Sequence, residues 1–283
     1  MIFLRHLYKV KEFAEFVKIE HTLFALPFAY LGAWIAQRGF FCLKLFILIA
    51  LAFTGMRTAS MTLNRIIDRD IDALNPRTAN RHLPSGRISL REAYTILLLS
   101  LIVYFTSAYF INETVFILSP IPVIIAYIYP YLKRYTCLCH YVLGLILSLA
   151  PLGGWIAVKN SLNLDFTIVS IALAVIFWVA GFDIIYGLQD VEFDRKYGLH
   201  SIGACFGINF ALRLSLLNHL IFFIFISISA ILWSKYTIAG LTFIALLIAY
   251  EHVSVRRGNI ETAFFKVNAV ISSVMLLTFL LTT

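Results

Sequence analysis

The chain has 283 residues, of which 61% are hydrophobic and 13% are charged, and its formal net charge at pH 7 is +8. Soluble domains average about 45–50% apolar and about 25% charged residues, so a soluble globule of this length could not bury this much apolar surface. The composition excludes soluble enzymes, disordered chains and nucleic-acid-binding modules. It predicts an all-α protein, a bundle of transmembrane helices that forms one integral-membrane domain over residues 1–283.

Nine apolar stretches are long enough to cross a bilayer, which requires about 20 mostly apolar residues. In chain order they cover residues 22–37, 42–63, 90–111, 114–132, 138–158, 165–188, 207–233, 236–250 and 264–281. The first and the eighth are short. An odd number of transmembrane helices places the two termini on opposite sides of the membrane.

Basic residues are distributed unequally between the two sides of this predicted bundle. Seventeen of the 23 Lys and Arg residues lie on the side of the N-terminus, four lie on the other side, and Arg57 and Arg213 lie within spans. Because cytoplasmic segments carry an excess of positive charge, the N-terminus is predicted to be cytoplasmic. We expect the protein in the inner membrane of a bacterial or archaeal cell.

The four cysteines are scattered along the chain, at Cys42, Cys137, Cys139 and Cys205. This spacing does not suggest a disulfide framework. Cys137, Cys139 and the adjoining His140 could form half of a metal site, but a second pair of ligands at suitable spacing is missing. Ordinary packing at a helix end is the favoured interpretation.

Six of the seven aspartates lie in two short stretches at predicted cytoplasmic helix ends. They are Asp68, Asp70 and Asp72 after the second span, and Asp183, Asp190 and Asp194 at the end of the sixth. A carboxylate at the bilayer centre costs about 2.5–3.5 kcal/mol on insertion scales, which makes acids near the membrane candidates for a functional site.

The spacing of these acids follows the period of a helix. Asn64, Asp68 and Asp72 are four residues apart, which predicts that they stack on one face of one helix. Asp190 and Asp194 repeat the step, and each lies 122 residues after its counterpart. The equal offset hints at a duplicated four-helix unit.

Two rows of carboxylates repel each other unless a cation lies between them. Ligands that are all oxygen atoms favour a hard divalent cation, Mg²⁺ first and Mn²⁺ as a substitute. The predicted metal ligands are Asn64, Asp68, Asp72, Asp190 and Asp194. Nearby bases suited to phosphate oxygens include Arg77, Arg81, Lys133 and Arg134. Together they predict a diphosphate site, and the alternative is a set of salt bridges in cytoplasmic loops.

Three segments and one arginine resemble a known family. The segments are Asn64-Arg-Ile-Ile-Asp68-Arg-Asp-Ile-Asp72 with its continuation to Gly86, Asp183-Ile-Ile-Tyr186-Gly-Leu-Gln-Asp190-Val-Glu-Phe-Asp194, and Tyr129-Pro-Tyr-Leu-Lys133-Arg134-Tyr-Thr136. The arginine is Arg57, seven residues before Asn64. This order is similar to that of the UbiA superfamily of intramembrane prenyltransferases, and within it to the 4-hydroxybenzoate polyprenyltransferases. One departure is His82, where the family usually has proline.

The resemblance implies the Mg²⁺-dependent transfer of a polyprenyl group from polyprenyl diphosphate to a ring carbon of an aromatic acid in quinone biosynthesis. The acceptor expected first is 4-hydroxybenzoate, of the ubiquinone pathway. The implied catalytic residues are Asp68, Asp72, Asp190, Asp194 and Asp183. Asp183 would accept the phenol proton or orient a neighbouring group. The implied substrate contacts are Arg57, Asn64, Lys133, Arg134, Tyr186, Arg77 and Arg81.

Within these contacts, Arg134 is the first choice for the acceptor carboxylate and Arg57 the second, because a guanidinium matches a carboxylate at two points. Tyr186, Tyr127 and Tyr129 are candidates to shield an allylic cation, since aromatic faces attract cations. His21 would contact a substrate or be structural.

Several alternatives remain open at this stage. Within the family, the acceptor could be 1,4-dihydroxy-6-naphthoate of a menaquinone pathway, haem or a glycerol phosphate ether. A phosphatidyl-alcohol transferase would carry one compact acidic run, which is absent. A transporter would carry its acids near the middle of the spans, whereas five of the six acids lie at cytoplasmic ends and only Asp183 lies deeper.

Overall fold

The computed structural model describes residues 2–260 and 266–283 of the chain. Several side chains near the N-terminus are not among those described, so the prediction for His21 lies outside the described part. The helices are α1 Ile2–Val17, α2 Ile19–Gln37, α3 Leu43–Ile67, α4 Arg69–Leu74, α5 Leu90–Ile111, α6 Glu113–Leu118, α7 Pro120–Leu132, α8 Cys139–Lys159, α9 Phe166–Gly187, α10 Val191–Lys196, α11 Ile202–Phe206, α12 Ile208–Trp233, α13 Ile238–Arg256 and α14 Asn268–Leu280. Single 3₁₀ turns cover Leu188–Asp190 and Lys235–Thr237.

The described residues contain no β-strand, which confirms the predicted all-helical class. Seven segments are long and apolar enough to cross a membrane: Leu43–Ile67, Leu90–Ile111, Glu113–Leu132, Cys139–Lys159, Phe166–Lys196, Ile208–Trp233 and Lys235–Arg256. They match seven of the nine predicted spans. The other two correspond to α2 and to α14, which has 13 described residues, so the count of nine stays a prediction.

Helix α9 lies at the centre of the bundle. Its residues Val175, Trp178 and Val179 belong to the main apolar core, together with side chains from α2, α12, α13 and α14. Helices α2 and α8 approach so closely that a Cβ atom on Gly32 would lie 1.9 Å from the carbonyl oxygen of Pro151. Small residues allow such approach between membrane helices, where apolar side chains gain little by leaving lipid.

One end of the bundle carries the connections that build the site. The loop 75–89 follows α4 there, a short loop joins α7 to α8, and α10 and α11 follow the end of α9. Helix α1 packs at the same end, where Phe16 and Val17 form a small apolar core with Leu83 and Ile88 of the loop. The loop is therefore anchored to the bundle although it contains no long helix.

Two of these connections are linked by a disulfide between Cys137 and Cys205. The spacing of the cysteines did not suggest a disulfide, because residues 68 positions apart in the chain meet only after α8 and α9 have packed. Cys139 stays a free, buried thiol, and Cys42 is free and exposed.

Candidate active site

Both groups of aspartates line one cavity of about 200 Å³ at this end of the bundle. The first group lies where α3 passes into α4, and the second where α9 passes into α10. The predicted site residues that line the cavity are Asn64, Asp68, Asp72, Arg77, Arg81, Lys133, Asp183, Tyr186, Asp190 and Asp194. Asp70 does not line it, and the side chain of Asp70 is 97% exposed.

Each motif was expected to continue one helix, but both helices are interrupted at the central aspartate. Helix α3 ends at Ile67, and Asp68 has φ −89° and ψ 2° before α4 begins. Helix α9 ends at Gly187, and Asp190, the last residue of the 3₁₀ turn that follows, has φ −108° and ψ 4° before α10 begins. This sparsely populated region is where many active-site residues lie. Neither aspartate caps the helix that follows it, and both carboxylates contact side chains instead.

The first aspartate group pairs with nearby basic side chains. Arg81 Nη1 donates to both carboxylate oxygens of Asp72, at 2.8 Å and 2.7 Å. Lys133 Nζ lies 3.1 Å from Asp68 Oδ2, and Asn64 Nδ2 donates to the same oxygen at 3.2 Å. Asp68 and Asp72 are buried, at 3% and 4% exposure. These pairs compensate the cost of burying two carboxylates.

The second group is connected to the first by the loop 75–89. Arg77 Nε donates to Asp190 Oδ1 at 2.8 Å, and Arg77 Nη2 also donates to Asp190 Oδ2. Asn75 Nδ2 donates to Asp190 Oδ1 at 2.8 Å. Arg77 also donates to the Tyr186 hydroxyl at 3.0 Å and covers its ring at 5.2 Å. Asn75 is not among the residues predicted from sequence, because it belongs to neither aspartate motif.

Asp183 has a partner that sequence reasoning also missed. His140 Nδ1 lies 2.7 Å from Asp183 Oδ2, and the backbone N–H of Ile202 donates to His140 Nε2 at 3.4 Å. This pattern assigns the imidazole proton to Nδ1, which donates to the carboxylate. Both side chains line the cavity. In the sequence, His140 stands out only through its neighbours Cys137 and Cys139, which suggest half of a metal site and give no indication of a contact with Asp183.

Arg134 lies beside the cavity rather than in its lining. Its Nη2 donates to the carbonyl of Ile67 at 3.1 Å and lies 3.7 Å from Asp68 Oδ1. Its guanidinium also covers the ring of Tyr131 at 5.2 Å. Tyr129 lines the cavity, whereas Tyr127 is 52% exposed and is not part of its lining. Arg134 therefore supports the end of α3.

A larger, apolar cavity of about 440 Å³ lies deeper in the bundle. Arg57 is the only charged residue among the described residues that line it. Helices α3, α7, α8 and α9 line both cavities. On α3 and α9, Arg57 and Phe182 line the apolar cavity, and Asn64 and Asp183 line the polar one. The two cavities are thus stacked along the helices, with the polar one at the end of the bundle.

The polar cavity fits a divalent cation in its donor chemistry. Its acids are aspartates, and oxygen ligands suit hard cations. Asp68 Oδ1 is buried and accepts no hydrogen bond from any described residue. Burial raises the pKa of Asp68 above its ordinary value, while the positive charge of Lys133 acts in the opposite direction. The ion-pair partner of this oxygen is Arg134 Nη2 at 3.7 Å, beyond hydrogen-bond distance, so a cation would have a free carboxylate oxygen to bind.

Comparisons with known proteins agree with this geometry. A profile described as the UbiA prenyltransferase family matches residues 25–277. The chain is 31% identical over 238 residues to a 4-hydroxybenzoate octaprenyltransferase of Pseudoalteromonas translucida, which covers 83% of this chain and 80% of that protein. It is similar to the structure of a UbiA homologue from Aeropyrum pernix, with a TM-score of 0.84, 36% identity and coverage of 93% and 98% of the two chains.

A UbiA homologue from Archaeoglobus fulgidus, solved with GPP and Mg²⁺, has the same fold at 23% identity, with a TM-score of 0.67 and coverage of 95% of this chain and 99% of that one. The predictions of an integral membrane protein and of an aromatic polyprenyltransferase are confirmed. The resemblance noted in the motifs is confirmed with them: this chain belongs to the UbiA prenyltransferase family.

Proposed function

We propose that the protein transfers a polyprenyl group from polyprenyl diphosphate to a ring carbon of an aromatic acid, with 4-hydroxybenzoate as the first candidate acceptor. The observation that carries this proposal is the stacking of an aspartate- and arginine-lined cavity on an apolar cavity along the same four helices. A substrate with a charged diphosphate and a hydrocarbon chain matches this order of polar and apolar walls.

In this proposal the diphosphate occupies the polar cavity. Asn64, Asp68 and Asp72 line the same cavity as Asp190 and Asp194, and these five residues would hold divalent cations, Mg²⁺ first and Mn²⁺ as a substitute. A bound cation supplies Lewis acidity toward the leaving diphosphate. Arg77, Arg81 and Lys133 now pair with aspartates. When diphosphate enters, these three side chains would leave the aspartates and bind the diphosphate oxygens. The aspartates would then bind the cations.

The reaction breaks the allylic C–O bond and forms a C–C bond to the acceptor ring, which then loses a proton. The diphosphate takes the bonding electron pair as it leaves. Arg57 is the proposed contact for the acceptor carboxylate, because it brings a positive charge into the apolar cavity. Arg134, the first choice from sequence alone, is the second here because its guanidinium is occupied by Asp68 and Ile67.

Asp183 is the proposed acceptor of the phenol proton of the aromatic acid. Its carboxylate accepts a hydrogen bond from His140 and lies where α9 passes from the apolar to the polar cavity. Tyr186 and Tyr129 border the polar cavity and would limit the access of water to an allylic cation. Excluding water matters because the cation reacts with it.

The prenyl chain would leave the apolar cavity sideways, toward the lipid bilayer. The residues that form the site lie on the side rich in Lys and Arg, which supports a cytoplasmic active site and N-terminus in the inner membrane. We treat residues 1–283 as one catalytic domain, because both cavities are built from helices of both halves of the chain.

The test is an assay of the purified protein with a polyprenyl diphosphate, Mg²⁺ and either 4-hydroxybenzoate or 1,4-dihydroxy-6-naphthoate. We expect prenylated 4-hydroxybenzoate together with an equal amount of diphosphate, and no product after chelation of divalent cations. Product only with the naphthoate would move the protein to a menaquinone pathway. Failure to release diphosphate with either acceptor would contradict the proposal.

A further inference from the structure

Outside both cavities, three side chains that commonly bind metals converge between α1 and the loop 75–89. Glu12 and Glu15 come from α1, and His82 comes from the loop. One ligand atom of each lies within 4.8 Å of the others, and no other such group of three occurs among the described residues. His82 Nε2 lies 3.2 Å from Glu12 Oε2 and 3.8 Å from Glu15 Oε2.

The surrounding structure holds these groups in position. Glu12 and Glu15 are three residues apart, which places both carboxylates on the same face of α1. The backbone N–H of Ile88 donates to the carbonyl oxygen of His82 at 3.1 Å and fixes the loop. The His82 ring meets the edge of the Phe16 ring at a centroid distance of 5.9 Å. The convergence thus follows from packing rather than from one mobile side chain.

The Nε2 atom of the imidazole is directed at the two acids. His82 is 9% exposed, and its buried Nε2 makes no hydrogen bond to any described residue. Such an unsatisfied buried group costs about 1–3 kcal/mol. Burial, and then the positive charge of Arg87, lower the pKa of His82. The atom that an imidazole offers to a metal is the nitrogen of its neutral form.

Two exposed cations border the acids. Arg87 Nη1 lies 3.4 Å from Glu12 Oε2, and Lys11 Nζ lies 3.9 Å from Glu15 Oε1. The Lys11–Glu15 pair is exposed on both sides, and exposed pairs contribute about 0–1 kcal/mol, so a divalent ion displaces Lys11 at little cost. Arg65 adds a positive charge near His82. The negative charges of Glu12 and Glu15 act on the pKa of His82 in the direction opposite to Arg87 and Arg65. Glu12 is itself mostly buried.

We propose that Glu12, Glu15 and His82 bind a first-row transition-metal ion, Zn²⁺ before others, at a site separate from the aspartate cavity. An imidazole among the ligands favours Zn²⁺ over Mg²⁺ and Ca²⁺, which prefer oxygen alone. Ligand atoms about 2.0–2.2 Å from a tetrahedral Zn²⁺ lie roughly 3.3 Å apart. The half-exposed Glu15 closes the remaining gap by a side-chain rotation. The bound ion joins α1 to the loop that carries Arg77 and Arg81.

The experiment uses the full-length protein in detergent, stripped of metals with a chelator and then kept in excess Mg²⁺. Zn²⁺ binding is measured by calorimetry, and the Tm is measured with and without Zn²⁺. The test variants are His82→Ala, Glu12→Gln and Glu15→Gln. The controls are His200→Gln, which removes a histidine from the loop between α10 and α11, and Asp68→Asn, which alters the aspartate cavity.

We expect one Zn²⁺ per wild-type chain, a Kd at least about tenfold weaker in each test variant, and wild-type binding in both controls. Zn²⁺ should raise the Tm of the wild type and the controls only. Unchanged Zn²⁺ binding in the two glutamine variants would overturn the proposal, even if His82→Ala failed to fold. Loss of Zn²⁺ binding in Asp68→Asn would also overturn it, because the ion would then belong to the aspartate cavity.

Discussion

Arg77 and Asp190 form a two-point salt bridge between residues 113 positions apart, with Nε 2.8 Å from Oδ1 and a second bond from Nη2 to Oδ2. Arg77 follows the first aspartate motif, and Asp190 belongs to the second. The pair therefore joins the two motifs across the polar cavity. Bidentate pairs of this kind are among the stronger hydrogen-bonded contacts in proteins. In the proposed function, an entering diphosphate would compete for Arg77, and its binding would release the Asp190 carboxylate.

Replacing a central aspartate should abolish turnover without unfolding the bundle. We expect Asp68→Asn and Asp190→Asn each to lower kcat at least about 100-fold, because the developing charge on the leaving group loses its stabilisation. Asp70→Asn is the matched control, since the Asp70 side chain points away and is 97% exposed. Product formation is measured with purified protein. Wild-type turnover in Asp68→Asn and Asp190→Asn would refute the metal-ligand assignment.

Removing the Arg77 guanidinium should weaken binding of the prenyl donor. A lost hydrogen bond to a charged group costs about 1.5–3 kcal/mol, so Arg77→Ala should raise the KM for polyprenyl diphosphate at least about tenfold. Arg77→Lys should recover only part of the loss, because a lysine lacks the two-point geometry. Arg69→Ala is the control, as the one ion pair that Arg69 forms with a described residue is with the exposed Asp70 at 3.9 Å. A KM that is equal in Arg77→Ala and Arg69→Ala would contradict this role.

The two candidate arginines for the acceptor carboxylate can be separated by kinetics. Arg57 lines the apolar cavity, whereas Arg134 contacts Ile67 and Asp68. We expect Arg57→Ala to raise the KM for the aromatic acid about tenfold or more, with little change in the KM for the prenyl donor. Arg134→Ala should change the acceptor KM less. The reverse ranking of the two variants would restore the assignment made from sequence alone.

His140 should act by positioning Asp183. Asp183→Asn removes the proposed proton acceptor and should lower kcat about 10²–10⁴-fold. His140→Ala should lower kcat by a smaller factor and alter the pH profile of kcat. His140→Asn, whose amide nitrogen can replace Nδ1 as the donor, should restore part of the activity. Equal losses in His140→Ala and His140→Asn, with an unchanged pH profile, would indicate a purely structural histidine.

The buried His82 should make stability depend on pH in the absence of metal. Burial, then Arg87, lower the pKa of His82 in the folded protein below its unfolded value of about 6.5. Below about pH 6.5 the unfolded chain therefore binds the proton more readily, and the stability present at higher pH is lost as the pH falls. With chelator present, the Tm should fall less between pH 7.5 and 5.5 in His82→Gln than in the wild type. Identical slopes would exclude this contribution.

Much of the architecture was predictable because it depends on short stretches of sequence. Hydropathy over about 20 residues locates a transmembrane helix, and the predicted span 90–111 coincides with α5, which covers Leu90–Ile111. The aspartate groups and the nearby arginines could likewise be found by spacing and residue type. The break at Asp68 could not be found in this way, because its carboxylate is held by Lys133, which lies 65 positions further along the chain and reaches Asp68 only in the folded bundle.

The sequence alone determined the membrane class, the side of the membrane that carries the basic residues, and the chemistry of the acidic motifs. Only the tertiary structure decided which groups meet. It paired Arg77 with Asp190, His140 with Asp183 and Cys137 with Cys205, and it placed Arg134 beside the cavity, on the carbonyl of Ile67. These contacts join residues between 43 and 113 positions apart, so they form when helices pack and loops dock, and no local pattern of residues encodes them.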